Sequence, residues 1–163
     1  MHAHLTTDDI VSYMKLTFGG DVKEGHNWGE RGIFYNPGNL LPKGVYILTF
    51  KEKDGANDKA SNTNRSGVYR LNLGVGRSAF LERFGEVPKR PSAGEIVLTG
   101  HDFTTLDTIM PHPVYGWMNW IGVLNPSPET FETLKPIIAV AVDLAAKKFA
   151  TRQRQLRLRQ GGD

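Results

Sequence analysis

Residues 67–75, Gly67-Val-Tyr-Arg-Leu-Asn-Leu-Gly-Val75, alternate apolar and polar side chains. Tyr69, Leu71, Leu73 and Val75 fall on one side, and Arg70, Asn72 and Gly74 on the other. This is the pattern of a β-strand with one apolar and one polar face. Such a strand belongs to a sheet covered on one side. It predicts helices over the apolar face. Arg70 and Asn72, about 7 Å apart along the strand, then lie on the opposite face, either solvated or lining a pocket. There Arg70 could clamp an anionic ligand bidentately while Asn72 orients it. The alternative is a solvated sheet face with Arg70 paired to a neighbouring acid.

Outward from this strand, the remaining segments supply the layers. Thr6-Thr7-Asp8-Asp9 precedes Ile10, Tyr13, Met14 and Phe18, which reads as a capped amphipathic helix stopped by Gly19-Gly20. Residues 32–35 and 45–50 read as strands separated by Asn36-Pro-Gly-Asn39. Residues 51–66, rich in Asp, Asn, Gly and Ser, read as a long mobile loop. Ser78–Phe84 reads as a short helix closed by Gly85, residues 86–92 as a proline-rich loop, and residues 95–99 as an edge strand.

Residues 117–124 read as a further strand, with Trp117, Asn119 and Ile121 on one face and Met118, Trp120 and Leu124 on the other. Ser127-Pro128-Glu129 opens a helix, with Ser as N-cap and Pro at its first position. Its apolar stripe is Phe131, Leu134, Ile138, Ala141, Ala145 and Phe149, and Pro136 is expected to kink or split it. The fold class is therefore α+β: a single layer of mainly antiparallel sheet with N-terminal and C-terminal helices packed on one face. Residues 1–150 form one domain, and 151–163 a basic C-terminal tail or helix extension.

The chain has 163 residues, 39% hydrophobic and 23% charged, and a domain of this length buries roughly 70% of its unfolded surface. Its first residues contain no apolar signal segment, and no run approaches a membrane span, so a cytoplasmic location without membrane association is expected. Cysteine is absent, which excludes disulfides, thiolate metal sites and cysteine nucleophiles. The net charge of +3 is concentrated at one end: residues 147–163 hold six basic groups and one acid. The other 146 residues hold fourteen basic and sixteen acidic groups. A nucleic-acid role would rest on that tail, which lacks interleaved aromatics, and a solvated basic helix face is the simpler reading.

The stretch 99–120 gathers two of the five histidines and two of the three tryptophans. His112 sits between Pro111 and Pro113, which restrict its backbone. It could act as a general base with Asp102 or Asp107 as orienting carboxylate. No Gly-x-Ser-x-Gly elbow supplies a nucleophile, and the eleven positions from His101 to His112 are not a recognised metal-ligand spacing. The alternative is a histidine bonded to backbone at a stiffened corner, with Asp102 capping a helix over residues 103–109. Leu73-Gly-Val-Gly-Arg-Ser-Ala79 spells a dinucleotide fingerprint, but the acid that should close the next strand is missing. It reads as a strand-to-helix turn. No cofactor and no metal are expected.

Three segments carry a family resemblance: residues 67–75, Asp102-Phe-Thr-Thr-Leu-Asp107 running into Met110-Pro-His-Pro-Val-Tyr-Gly116, and Val123-Leu-Asn-Pro-Ser-Pro-Glu-Thr-Phe131. They resemble the bacterial domain-of-unknown-function family 6194, from the first helix to about Phe149. The element layout also resembles, distantly, the MmcQ/YjbR-type α+β fold. These resemblances imply a single α+β domain in a cytoplasmic bacterial setting and bring no catalytic residue. The expectation is a non-enzymatic domain binding a small anionic ligand or a protein partner. Its site would comprise Arg70, Asn72 and Asn119, walled by His112, Tyr115 and Trp117. A hydrolase using His112, and a nucleic-acid accessory protein using the basic tail, stand as alternatives. Oligomeric state is not legible.

Overall fold

A computed structural model describes residues 3–161. Thr7–Phe18 forms α1, Val22–Asn27 β1, Glu30–Tyr35 β2, Val45–Lys51 β3 and Arg70–Gly74 β4. Gly76–Phe84 forms α2, Met110–Pro111 β5, Trp120–Leu124 β6 and Pro128–Gly161 α3. The strands make one sheet in the order β1-β2-β3-β4-β6-β5, antiparallel throughout. The α+β architecture is the expected one, with β4 at the centre of the sheet.

The caps explain where the helices begin. Thr6 Oγ1 accepts the Asp9 amide at 3.1 Å, and the Asp9 carboxylate accepts the Thr6 amide at 2.9 Å. This reciprocal arrangement satisfies two otherwise orphaned donors. Ser127 Oγ likewise accepts the Thr130 amide at 3.1 Å at the head of α3. The predicted stripe of α3 is buried, joined by Val142. The helix runs through Pro136 as one element, so Pro136 does not split off its first turns. Proline removes one main-chain bond, whereas Phe131 and Leu134 before it and Ile138 and Ala141 after it are anchored on the same core.

Tyr69, Leu71, Leu73 and Val75 face that core, with Ile10 and Met14 of α1, Phe80 of α2 and the α3 stripe against them. Burial of each large aliphatic or aromatic side chain contributes about 1.5–3 kcal/mol. In β2–β3 the register slips: Ile33 pairs with Leu48 but Phe34 pairs with Tyr46. The extra residue, Ile47, joins Leu48 in the core, and the bulge leaves Tyr46 on the same face as Thr49. That face is the polar one.

Several segments differ from the sequence reading. Residues 95–99 are not a strand: Val97 donates to the Pro113 carbonyl at 2.9 Å, but no ladder continues it. Residues 103–109 form turns, and Asp102 Oδ1 accepts the Thr104 amide and hydroxyl instead of capping a helix. Gly116–Met118 is a 3-10 turn and Asn119 is left-handed at φ 68°, so strand alternation starts only at Trp120. β1 and β5 were not anticipated. Residues 52–69, between β3 and β4, are an organised loop, held by Asp54 Oδ1 accepting the Thr63 amide and hydroxyl at 2.8 and 3.0 Å.

Candidate functional site

The polar face of β4 is closed over by that loop. Arg70 is 2% exposed and Asn72 equally buried. Arg70 Nη1 and Nη2 donate to the two oxygens of Asp58 at 3.0 and 2.5 Å, a bidentate pair. Nη1 also donates to Ser61 Oγ at 2.9 Å, and Nε to Asn72 Oδ1 at 2.5 Å. Asn72 Nδ2 passes the network on to Thr49 Oγ1 at 3.1 Å. An arginine on a central strand can be buried only with its charge paired and its hydrogens taken. Asp58 and Ser61 do this from the loop. Arg70 therefore lies beneath the surface with its charge already answered.

His112 stands at the far end of the same network. Its ring accepts at Nδ1 from the backbone amides of Val114 and Tyr115, both at 3.0 Å. Its Nε2 lies 3.0 Å from Arg70 Nη2 and 4.0 Å from Asp58 Oδ2. A guanidinium can only donate, so N–H donors face both ring nitrogens, and the single proton of the neutral ring must weaken the contacts on one side. A second proton would leave neither nitrogen able to accept and would place a charge beside Arg70. Burial, then the charges of Arg70 and Lys51, hold its pKa well below the ordinary value of 6.5. His112 is thus a neutral, backbone-anchored ring whose two nitrogens both face N–H donors.

Above this floor lies a cleft of about 460 Å³, within the size range of small-molecule sites. Its base includes Thr49, Asn72, Asp58 and His112, with Glu30 and Lys51 at one side. Its rim is apolar and solvent-facing: Trp28 is 92% exposed, Met118 50%, Tyr115 48% and Tyr46 37%. Tyr46 rests on Phe34, ring centroids 4.7 Å apart, and Tyr115 on His112 at 5.1 Å. Trp120 completes the wall.

Of the residues singled out from sequence, Asn72, His112 and Tyr115 line the cleft, and Arg70 supports it from below. Trp117 instead packs against the small cluster of Val97, Phe103 and Met110, with the Arg90 guanidinium 4.7 Å over its ring. Asn119 Oδ1 is buried without a partner, and the residue accepts the Val75 amide on its carbonyl. Asp102 turns to Thr104, which lowers its pKa through those two hydrogen bonds. Asp107 Oδ1 accepts the Ser127 amide at 2.8 Å, tying the turn before β5 to the head of α3. The carboxylate brought to His112 is Asp58.

Asp58 was missed, although a signal for it existed. A strand with neighbours on both sides buries an arginine on its polar face, so a carboxylate must lie in an adjacent loop. Trp28, in a two-residue turn, offered no such signal.

Among the described residues, no group of three or more His, Asp or Glu side chains converges to hold a metal ion, and no helix is long and apolar enough to cross a membrane. The basic residues from Lys147 to Arg159 lie on the exposed surface of α3, which continues to Gly161. No curated protein and no solved structure matches the chain. Its recognisable relationship is at the level of the family: residues 5–154 match a family of unknown function, DUF6194, and the chain belongs to that family.

Proposed function

We propose that this protein is a non-enzymatic binding domain that takes a small molecule in the cleft over the polar face of its sheet. Trp28 carries the reading. It occupies the first position of the two-residue β1–β2 turn, with φ 55°, followed by Gly29 at φ 77°. Both central residues of such a turn require positive φ, which Asn-Gly or Gly-Gly meets without strain and a bulky side chain resists. At 92% exposure the indole contributes little burial to the fold. Strain without compensating burial points to work outside the fold. Exposed Met118, Tyr115 and Tyr46 converge on the same cleft, and aromatic side chains offer flat contact area at low entropic cost.

The engagement of both His112 nitrogens argues for binding over hydrolysis, since a general base needs an open lone pair. The test is a thermal-shift screen of a metabolite library, with hits measured by calorimetry against wild type, Trp28→Ala and Tyr115→Ala. At least one hit should bind wild type and lose tenfold or more in affinity in each variant. Hits indifferent to both substitutions, or no hits, would reject the site.

A further inference from the structure

We infer that the cleft selects an organic cation, an ammonium or guanidinium group on an apolar body, in preference to an anion. The inference rests on the reading of the cleft as a small-molecule site. Four charged side chains build its floor and side wall: Glu30, Asp58, Lys51 and Arg70. Their charges cancel in number but not in depth. Arg70 is 2% exposed and Lys51 12%, whereas Asp58 is 16% and Glu30 31% exposed. Both carboxylates line the cleft beside Lys51, whereas Arg70 does not, so the charged lining carries two acids against one ammonium.

The internal hydrogen bonds sharpen this asymmetry. Arg70 directs its guanidinium into Asp58, Ser61 and Asn72, beneath the cleft. Lys51 Nζ is held at 3.3 Å from Glu30 and 3.9 Å from Asp58. The two carboxylates thus already lie on either side of one ammonium. An incoming carboxylate or phosphate would meet Glu30 and Asp58 together with Lys51, whose ammonium already lies against both. It would also have to break a buried pair to obtain a cation.

The rim favours the same sign. Trp28, Tyr46, Tyr115 and Trp120 line the cleft, and the faces of such rings carry the negative lobes of their quadrupoles. A cation over such a face is attracted by the quadrupole, most strongly where it is desolvated. Met118 adds a polarizable, adaptable surface for the apolar body. A ligand with its charged end at Glu30 and its body along the rim uses both features together.

Three probes with one body and different charge separate the possibilities: phenethylammonium, 2-phenylethanol and phenylacetate, titrated into the full chain by calorimetry. The ammonium should bind at least tenfold more tightly than the alcohol or the acid. Glu30→Gln should shrink that preference at least threefold, and Trp28→Ala should weaken the ammonium further. Circular dichroism of both variants confirms that the fold is retained. Equal or tighter binding of the alcohol or the acid overturns the charge preference while leaving the cleft as a binding site. Binding by none of the three also overturns it, and the library screen then judges the cleft separately. A preference unchanged in Glu30→Gln overturns the assignment of its source.

Discussion

The Arg70 side chain crosses β6 over Gly122: a Cβ at that glycine would stand 3.0 Å from Arg70 Cδ and 3.3 Å from Cγ. Arg70 pairs in register with Leu124, and Gly122 lies two residues along the same strand on the same face. The missing side chain makes a trough that lets the guanidinium run towards His112. Gly122→Ala should destabilise the protein by about 1–3 kcal/mol, as overpacking of a filled interior does. Urea denaturation measures this. A change below about 0.5 kcal/mol would mean that Arg70 has another route.

The Asp58–Arg70 pair is expected to hold the loop of residues 52–69 onto the sheet. Removing one partner of a mostly buried pair leaves an uncompensated charge, at a cost of about 3–5 kcal/mol. Asp58→Asn should fall near the lower end, since the carboxylate is partly exposed. The double variant Asp58→Asn/Arg70→Met should lose less than the sum of the two single variants. Strict additivity in that denaturation cycle would show that the contact contributes no coupling.

His112 sets a pH dependence of stability. Its folded pKa lies well below 6.5, so between that value and about 6.5 the unfolded chain binds the extra proton and the native state does not. Stability is complete above about pH 6.5 and falls as pH drops through the window, with a slope approaching 1.4 kcal/mol per pH unit for one proton. Denaturant midpoints between pH 7.5 and 5 should trace this decline, and His112→Gln should flatten it. A decline unchanged in the variant would assign it to another group.

Trp28 exchanges stability for exposure. Trp28→Asn places the residue preferred in a two-residue hairpin at a position already left-handed. The variant should gain about 0.5–2 kcal/mol, as single stabilising substitutions commonly do, read as a rise in Tm, and should lose ligand affinity. A lower Tm would show that the indole does support the fold.

Much of the fold was legible because it depends on local periodicity. Tyr69, Leu71, Leu73 and Val75 declare an apolar strand face, and Phe131 to Phe149 an apolar helix stripe; both are buried as read. Thr6 and Ser127 mark helix starts through bonds to residues three positions on. The failures lie where contacts between distant segments decide conformation. The Asn119 left-handed turn displaced the predicted alternation of residues 117–119. β5 has only two residues and exists through its pairing with β6. Pro136 does not split α3, which is anchored on the core on either side of it.

The same division separates the polar pattern from the site it became. Sequence alone determined that Arg70 and Asn72 share a polar strand face, because β-alternation is a property of the backbone. It also singled out His112 as restrained, because proline rings limit their neighbours. Tertiary structure decided that Arg70 is a buried foundation, twelve residues from Asp58 in sequence and 2.5 Å from it in space. It also decided that the cleft's exposed wall comes from Trp28, Tyr46, Tyr115 and Met118, carried on a hairpin, a bulged strand and a turn. A periodic pattern reports which way a side chain points. Its partner is set by long-range packing, where the demand to neutralise a buried charge selects one carboxylate among many.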